Sequence, residues 1–186
     1  MFIFPVDNDI QLKLFEQDDV DVLFALVDRN REYLRRFLPW VDEVASADHY
    51  YASIAGWIDQ LKQGRGFQAG ILYRGELSGM IGFHPHDWRN RKTSIGYWLS
   101  EDKQGRGIMT RSCRAVIDDA FRTTTLNRIE ISAATQNEKS RAIPERLGFT
   151  HEGRIREAEW IYDHFVDHEI YSLLRSDWVQ MQTGGG

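Results

Sequence analysis

Two stretches of the chain carry residues whose types and spacing suit chemistry. The first is Gln104-Gly105-Arg106-Gly107-Ile108-Met109-Thr110, which closely follows Ile95-Gly96-Tyr97-Trp98-Leu99. The apolar run reads as a strand, and the glycine turn opens a helix. The first N–H groups of a helix have no partner within it, and the helix dipole makes that end positive. Such a turn can hold an anion, and glycine lets the backbone approach a phosphate closely. It is not a Walker loop, because no Gly-Lys-Ser/Thr follows, and it lacks the third glycine of the dinucleotide fingerprint. On its residues alone, it reads equally as a tight connection without a ligand.

The second stretch is Asn137-Glu138-Lys139-Ser140-Arg141-Ala142-Ile143-Pro144-Glu145-Arg146-Leu147-Gly148-Phe149. Asn137 suits a helix N-cap. Pro144 can neither donate to the Ser140 carbonyl nor pack against it, so a bend and a freed polar group are expected near Ser140. The plain alternative is a kinked surface helix.

Other groups point less sharply. His84-Pro85-His86-Asp87 and the set Asp163, His164, Asp167 and His168 put imidazoles beside carboxylates. Neither has the context of a zinc motif, and no metal is expected. The first group ends a central strand and is expected to line a substrate cleft. Cys113 falls on an apolar helix face and reads as a buried small hydrophobe. Trp40 and Trp160 either pack in the core or wall a cleft. The acidic run Glu16 to Asp21 reads as a solvated helix start, with binding of a basic substrate the lesser alternative.

These groups need a frame. Ile10, Leu12 and Leu14 alternate with polar residues as in a strand, and Val20, Leu23, Phe24 and Val27 share a helical face. Helices are expected over Arg31–Leu38, ending before Pro39, and from Ser46, as N-cap, to Lys62 near Gly64. Strands Gly66–Tyr73 and Leu77–His84 flank the turn Arg74-Gly75-Glu76, a hairpin signal. Then come strand Thr93–Leu99, helix Ile108–Arg122, strand Arg128–Ala133 and helix Glu138–Leu147 closed by Gly148. Two final strands lie near Thr150–Trp160 and Phe165–Leu174. The expected architecture is α/β, a mixed sheet around a strand–helix–strand unit from Thr93 to Ala133.

The 186 residues suit one domain, expected over residues 1–183, with 184–186 a flexible glycine tail. A net charge of -5 argues against a general nucleic-acid binder, although basic clusters occur at Arg89–Lys92 and Lys103–Arg114. The single cysteine permits no internal disulfide and fits a reducing compartment. The first ten residues lack the features of a signal peptide, and no apolar run is long enough for a membrane helix. The expectation is a cytoplasmic protein with no nucleic-acid or membrane partner.

Together, the Ile-Gly-Tyr-Trp-Leu strand, the Gln104–Met109 loop, the Asn137-x-x-Ser140 helix and Leu147-Gly148-Phe149 resemble the Gcn5-related N-acetyltransferase (GNAT) superfamily. The similarity is to its RimJ/RimL-type ribosomal-protein branch, and it covers about Ile10 to Trp178. Arg154–Leu173 is similar to the RimL-type ending. The superfamily loop runs Gln/Arg-x-x-Gly-x-Gly/Ala; Met109 departs from its last position, as is common in the RimL-like branch.

The resemblance implies the GNAT fold, a mostly antiparallel mixed sheet flanked by helices, and acetyl-CoA as co-substrate. It implies that the amides of Gly105, Arg106, Gly107, Ile108, Met109 and Thr110 hold the pyrophosphate, beside Gln104. Arg106 either adds charge or is solvated. Tyr97–Leu99 should splay from Arg128–Ala133 and pair with pantetheine, with an N–H near Trp98 or Leu99 polarising the thioester carbonyl. Asn137 should bond the pantetheine arm, and Ser140 should protonate the coenzyme thiolate. Glu159 matches the proposed base of the RimL-type enzymes. Many relatives carry a glutamate where this chain has Ser94, which shifts the base to Glu159 or ordered water.

The acceptor implied is an amine, foremost the N-terminal α-amine of a protein such as a ribosomal one, attacking directly. The alternatives are a small amine (a polyamine, amino sugar or antibiotic) and a regulatory module that holds acyl-CoA without turnover. Relatives are often dimers. Arg29–Ala47 and Trp160–Phe165 are the expected acceptor-side loops, without a decodable motif.

Overall fold

The computed structural model of the chain describes residues 3–184. Of the expected glycine tail, Gly185 and Gly186 lie outside the described residues; Gly184 caps the last helix. In chain order the elements are β1 (Ile3–Pro5), β2 (Ile10–Leu14), α1 (Val20–Arg29), α2 (Arg31–Leu34), α3 (Asp48–Lys62), β3 (Gln68–Tyr73), β4 (Glu76–Phe83) and β5 (Lys92–Leu99). There follow α4 (Ile108–Thr123), β6 (Arg128–Ala134), α5 (Glu138–Arg146), β7 (Thr150–Ile161), β8 (His164–Leu174) and α6 (Arg175–Thr183).

The eight strands form one sheet in the order β1-β2-β3-β4-β5-β6-β8-β7. All neighbours are antiparallel except β5 and β6, which α4 connects. The β3–β4 hairpin turns through Arg74 (φ 52°) and Gly75 (φ 82°). Two successive left-handed residues match the right-handed twist of the flanking strands.

Pairing between β5 and β6 runs only from Lys92↔Arg128 to Ser94↔Glu130. Beyond it, β5 stays on β4 as far as Leu99↔Gly79, and β6 stays on β8 as far as Ala134↔His168. Each strand keeps its outer ladder, so the two part and leave a gap in the middle of the sheet.

Strand alternation gives the two faces different cores. Ile81, Phe83 and Ile95 are buried against the apolar side of α4, where Ile108, Met109, Cys113, Val116, Ile117, Ala120 and Phe121 all lie within the core. On the opposite face, α1 and α3 cover Leu77, Met80 and Trp98.

Three local expectations are corrected. Ser46 does not cap α3, whose N-cap is Ala47 with no side-chain bond; Ser46 contributes only its carbonyl, to His49 N. The helix expected over Arg31–Leu38 is regular only to Leu34 and unwinds in turns before Pro39. β1 and α6 were absent from the expected order: β1 is three residues long, and α6 carries no buried residue from which a helical period could be read.

Candidate active site

Two hollows flank β5. The first is a groove of about 820 Å³ bordered by Tyr97–Leu99, Gln104–Arg111, Asn137 and Ser140. All the residues expected to hold a coenzyme therefore converge on it. Arg106, Arg111, Lys139 and Arg146 also border it, and no carboxylate does among the described residues. Arg111 is paired with Asp7 at 2.6 Å; the other three have no ion pair among the described residues. The groove is thus electropositive inside a protein of net charge -5.

The glycine turn is held in the left-handed region, with φ 72° at Gly105 and 69° at Gly107. Gly107 is the N-cap of α4, with no side-chain cap and no acidic residue in the first turn. The first N–H in this turn to find a helical carbonyl is that of Arg111, 3.1 Å from Gly107 O. The amides of Ile108, Met109 and Thr110 precede it and have no such partner. Ile108 and Met109 are 1% and 6% exposed, so they offer the groove their backbone alone. That explains the tolerance of methionine at a position where a smaller residue is usual: its side chain is part of the core. Gln104 bridges the groove's rim, donating to Tyr33 Oη and accepting from Lys139 Nζ at 2.7 Å. The Arg106 guanidinium donates to the Asp102 carbonyl at 3.2 Å and lies 6.0 Å from the Tyr73 ring centre.

On β5 the hydrogen-bonding pattern sorts the free donors. His84 N bonds Ser94 O, and Ser100 N bonds Ser78 O. In an antiparallel ladder such pairs recur every second residue, so Gly96 and Trp98 also turn their N–H groups towards β4. Tyr97 and Leu99 direct theirs into the gap left by β6. Of Trp98 and Leu99, then, only Leu99 turns its N–H into the gap, and Tyr97 does so as well.

Asn137 caps α5: its Oδ1 accepts from Ser140 N at 3.2 Å, and its Nδ2 has no bond among the described residues. Pro144 does free the Ser140 carbonyl, and the Tyr97 hydroxyl takes it at 3.0 Å. The Ser140 hydroxyl in turn donates to Tyr97 Oη at 3.3 Å. Burial pushes the Tyr97 phenol well above its ordinary range, so it stays protonated.

The second hollow, about 660 Å³, lies over the face of β4 and β5 that carries Met80 and Trp98, and shares Phe37, Leu38, Tyr97, Trp98, Asn137 and Ser140 with the first. Its floor is one face of the sheet, including Gln68, Met80, His84, Ser94 and Trp98. Gly96 makes room there: a Cβ on it would sit 2.7 Å from His84 Nε2. Desolvation by the cleft lowers the His84 pKa from its ordinary value, although the side chain stays accessible. Trp40, Tyr50 and Trp57 form the aromatic wall. Glu159 is its sole carboxylate among the described lining residues, and no lysine or arginine joins it. Glu159 Oε2 lies 3.2 Å from His168 Nε2, and His168 Nδ1 lies 2.7 Å from Ser132 Oγ.

The two loops expected on the acceptor side meet. Tyr162 Oη donates to Leu38 O at 2.7 Å, and the Arg35 guanidinium stacks 3.9 Å from the Tyr162 ring centre. Trp40 lines the cleft, but Trp160 does not: it packs on Phe165 and is 52% exposed. Of the histidine groups, His84 and His168 reach the cleft, whereas His86 packs between Phe83 and Trp88, and His164 pairs with Asp163 outside it. No cluster of three metal-ligating side chains occurs among the described residues. Cys113 is fully buried. Sequence reasoning did not find Ser132, or His168 as the partner of Glu159. A signal existed in the β-period of Ile131-Ser132-Ala133 and Asp167-His168-Glu169, but the pairing of β6 with β8 that joins them was not readable.

Comparison with known proteins adds an independent line. The model of the acetyltransferase (GNAT) domain matches residues 9–150. The protein YdaF of Bacillus subtilis (strain 168), whose name assigns it provisionally to ribosomal N-acetylation, is 41% identical over 96% of this chain and 98% of its own. The solved structure of RimL, a ribosomal L7/L12 α-N-protein acetyltransferase, in complex with coenzyme A is 28% identical and superposes with a TM-score of 0.91 over 95% of this chain and 99% of its own. The microcin C7 self-immunity acetyltransferase MccE, in complex with acetyl-CoA and AMP, is 26% identical, with a TM-score of 0.87 over 91% and 94%.

Proposed function

The chain belongs to the GNAT acetyltransferase family, and from that premise we propose that it moves acetyl from acetyl-CoA, seated in the basic groove, to the N-terminal α-amine of a protein entering the aromatic cleft. The observation that carries this reading is that the two hollows meet at β5 and share Phe37, Leu38, Tyr97, Trp98, Asn137 and Ser140. A thioester threaded through one would present its carbonyl to a nucleophile in the other.

In the groove, the α4 N-terminal amides and the unpaired arginines and lysine hold the pyrophosphate. The free edge of β5 takes the pantetheine amides as an added strand would, and the Asn137 amide group bonds the same arm. The Leu99 or Tyr97 N–H stabilises the oxyanion as the amine attacks. Ser140, bonded to a phenol that remains protonated, supplies the proton for the departing thiolate. Glu159 receives the charge of the amine proton on the other side.

The cleft's electrostatics favour an α-amine over a polyamine. An α-amine has an ordinary pKa near 7.7–8.0, so an appreciable fraction is neutral at physiological pH and needs only a modest base. A polyamine brings several ammonium groups, and the cleft offers one carboxylate, which already has a partner. The ribosomal acceptors named for YdaF and RimL make a ribosomal protein the leading candidate.

The test is thiol release from acetyl-CoA with peptides bearing free or blocked N-termini, beside polyamines and amino sugars. The expected outcome is turnover with free N-termini alone. Turnover only with small amines would replace this acceptor, and tight cofactor binding with no turnover on any amine would replace the enzymatic reading.

A further inference from the structure

The cleft holds a continuous side-chain path from Ser132 on β6, through His168 on β8, to Glu159 on β7. These strands are neighbours in the sheet, and the path follows from their register. His168 pairs with Ala134, two residues from Ser132 on the same face of β6. On β7, Ile155 opposes His168 and Glu159 opposes Val166, so four steps on β7 match two on β8. The surplus is absorbed by an irregularity in which Glu157 takes a left-handed φ of 50° and its N–H bonds Asp167 Oδ1 at 2.8 Å. Left-handed backbone at a non-glycine residue is costly and persists where surrounding contacts enforce it. Here it brings Glu159, rather than Glu157, opposite Val166 and within reach of His168.

With His168 as the neutral tautomer that carries its proton on Nε2, the path has one direction. An ionised glutamate only accepts, so His168 Nε2 donates to it. His168 Nδ1 is then the acceptor, Ser132 is the donor, and the lone pairs of Ser132 Oγ are left for an incoming N–H. Ser132 is exposed within the cleft lining, while His168 covers part of the Glu159 carboxylate, whose side chain is 34% exposed.

We infer that the acceptor amine delivers its proton to Ser132 and His168, with Glu159 holding the resulting imidazolium, instead of delivering it directly to Glu159. This rests on the reading that the amine occupies this cleft. As the neutral nitrogen attacks the thioester carbon, the C–N bond forms. An N–H proton passes to Ser132 Oγ while the Ser132 proton passes to His168 Nδ1. Collapse breaks the C–S bond, and the thiolate takes the Ser140 proton, which water restores. His168 returns its proton to water, so no net proton remains on the protein.

The experiment measures turnover of the full chain with acetyl-CoA and a peptide with a free N-terminus, alongside coenzyme affinity by calorimetry. His168→Gln is expected to lower kcat by about 100-fold, the scale of general-base catalysis, with the peptide KM and coenzyme Kd within about 3-fold of the parent. Glu159→Gln combined with His168→Gln is expected to be no slower than His168→Gln alone, because residues acting as one unit are not additive. Ser132→Ala changes an exposed side chain, tests the same path without threatening the fold, and is expected to slow kcat about 10-fold, with Ser132→Thr restoring most of it. The relay is overturned if His168→Gln keeps kcat while Glu159→Gln loses it, or if the two losses multiply. It is also overturned if mass spectrometry finds acetyl on Ser132 in the absence of amine. Failure of the underlying reading has a different signature: the parent protein would then release no thiol with any N-terminus.

Discussion

The groove and the cleft are built on the same strand yet present a ligand with different kinds of surface. The groove works through backbone: the α4 amides, the left-handed glycines and the free edge of β5. Ile108 and Met109 bury their side chains in the core, Arg106, Lys139 and Arg146 carry charge, and uncharged polar side chains such as Asn137 and Ser140 line the end shared with the cleft. The cleft works through side chains delivered by α3, β3, β4, β5, β6, β7 and β8 together with the loop around Trp40. A backbone site can be reused for one invariant ligand while its side chains drift. A side-chain site changes with each substitution, which suits it to choosing among amines.

This contrast can be broken in several ways. The largest effect is expected where the two regions touch. A Cβ on Gly79 would lie 2.3 Å from Trp98 O and 2.9 Å from Leu99 Cα, both backbone atoms that cannot yield separately. Gly79→Ala should destabilise the fold by about 3 kcal/mol, as overpacking does, and weaken both hollows together. Urea unfolding and calorimetry with coenzyme A would check it, and unchanged stability would show that β4 and β5 can part freely here.

A substitution confined to the groove comes next. Gly107→Val places a branched residue at φ 69°, which L residues avoid, so the α4 amides should turn away. Coenzyme affinity is expected to fall by about 30-fold, or about 2 kcal/mol. Confined to the cleft, Trp40→Ala removes a wall residue 6.4 Å from the Trp98 ring centre. It should raise the acceptor KM about 10-fold and leave the coenzyme Kd unchanged, a loss of the size expected for one aromatic contact. Arg106→Ala should cost about 3-fold in coenzyme affinity at low salt and nothing in strong salt, because its charge is exposed.

The smallest effect is on pH dependence. Partial desolvation lowers the pKa of the accessible His84 in the folded state, so between that lowered value and the ordinary imidazole value the unfolded chain binds more protons. The contribution is therefore fully present above about pH 6.5 and is lost as pH falls below it. The urea midpoint should drop from pH 7 to pH 5, and His84→Gln should flatten that slope. An unchanged slope would assign the acid sensitivity elsewhere, His86 being half-buried and its pKa also lowered by desolvation.

The groove was legible before the fold was known because its chemistry runs along the chain. Strand, glycine turn and helix start are consecutive, and positive φ, helix polarity and free first-turn amides follow from residue types in order. Pro144 was legible in the same way, since a proline frees a carbonyl four residues back wherever it sits in a helix. The partner of that carbonyl, Tyr97, lies 43 residues away and was not. Three short-range signals misled or failed: Ser46 looked like a cap, α6 lacks an amphipathic stripe, and β1 is too short to show alternation.

By itself, then, the order of residues determined the glycine turn with its free first-turn amides, the alternation that divides β4 and β5 into two faces, and the likeness to a family of acetyltransferases. Tertiary structure alone decided that β5 and β6 part after Ser94, and that Ser132, His168 and Glu159 touch. The physical reason is one of range. Backbone dihedrals and helix polarity are set by neighbours along the chain, whereas strand register, and a misfit such as that at Glu157, is set only once the sheet has closed.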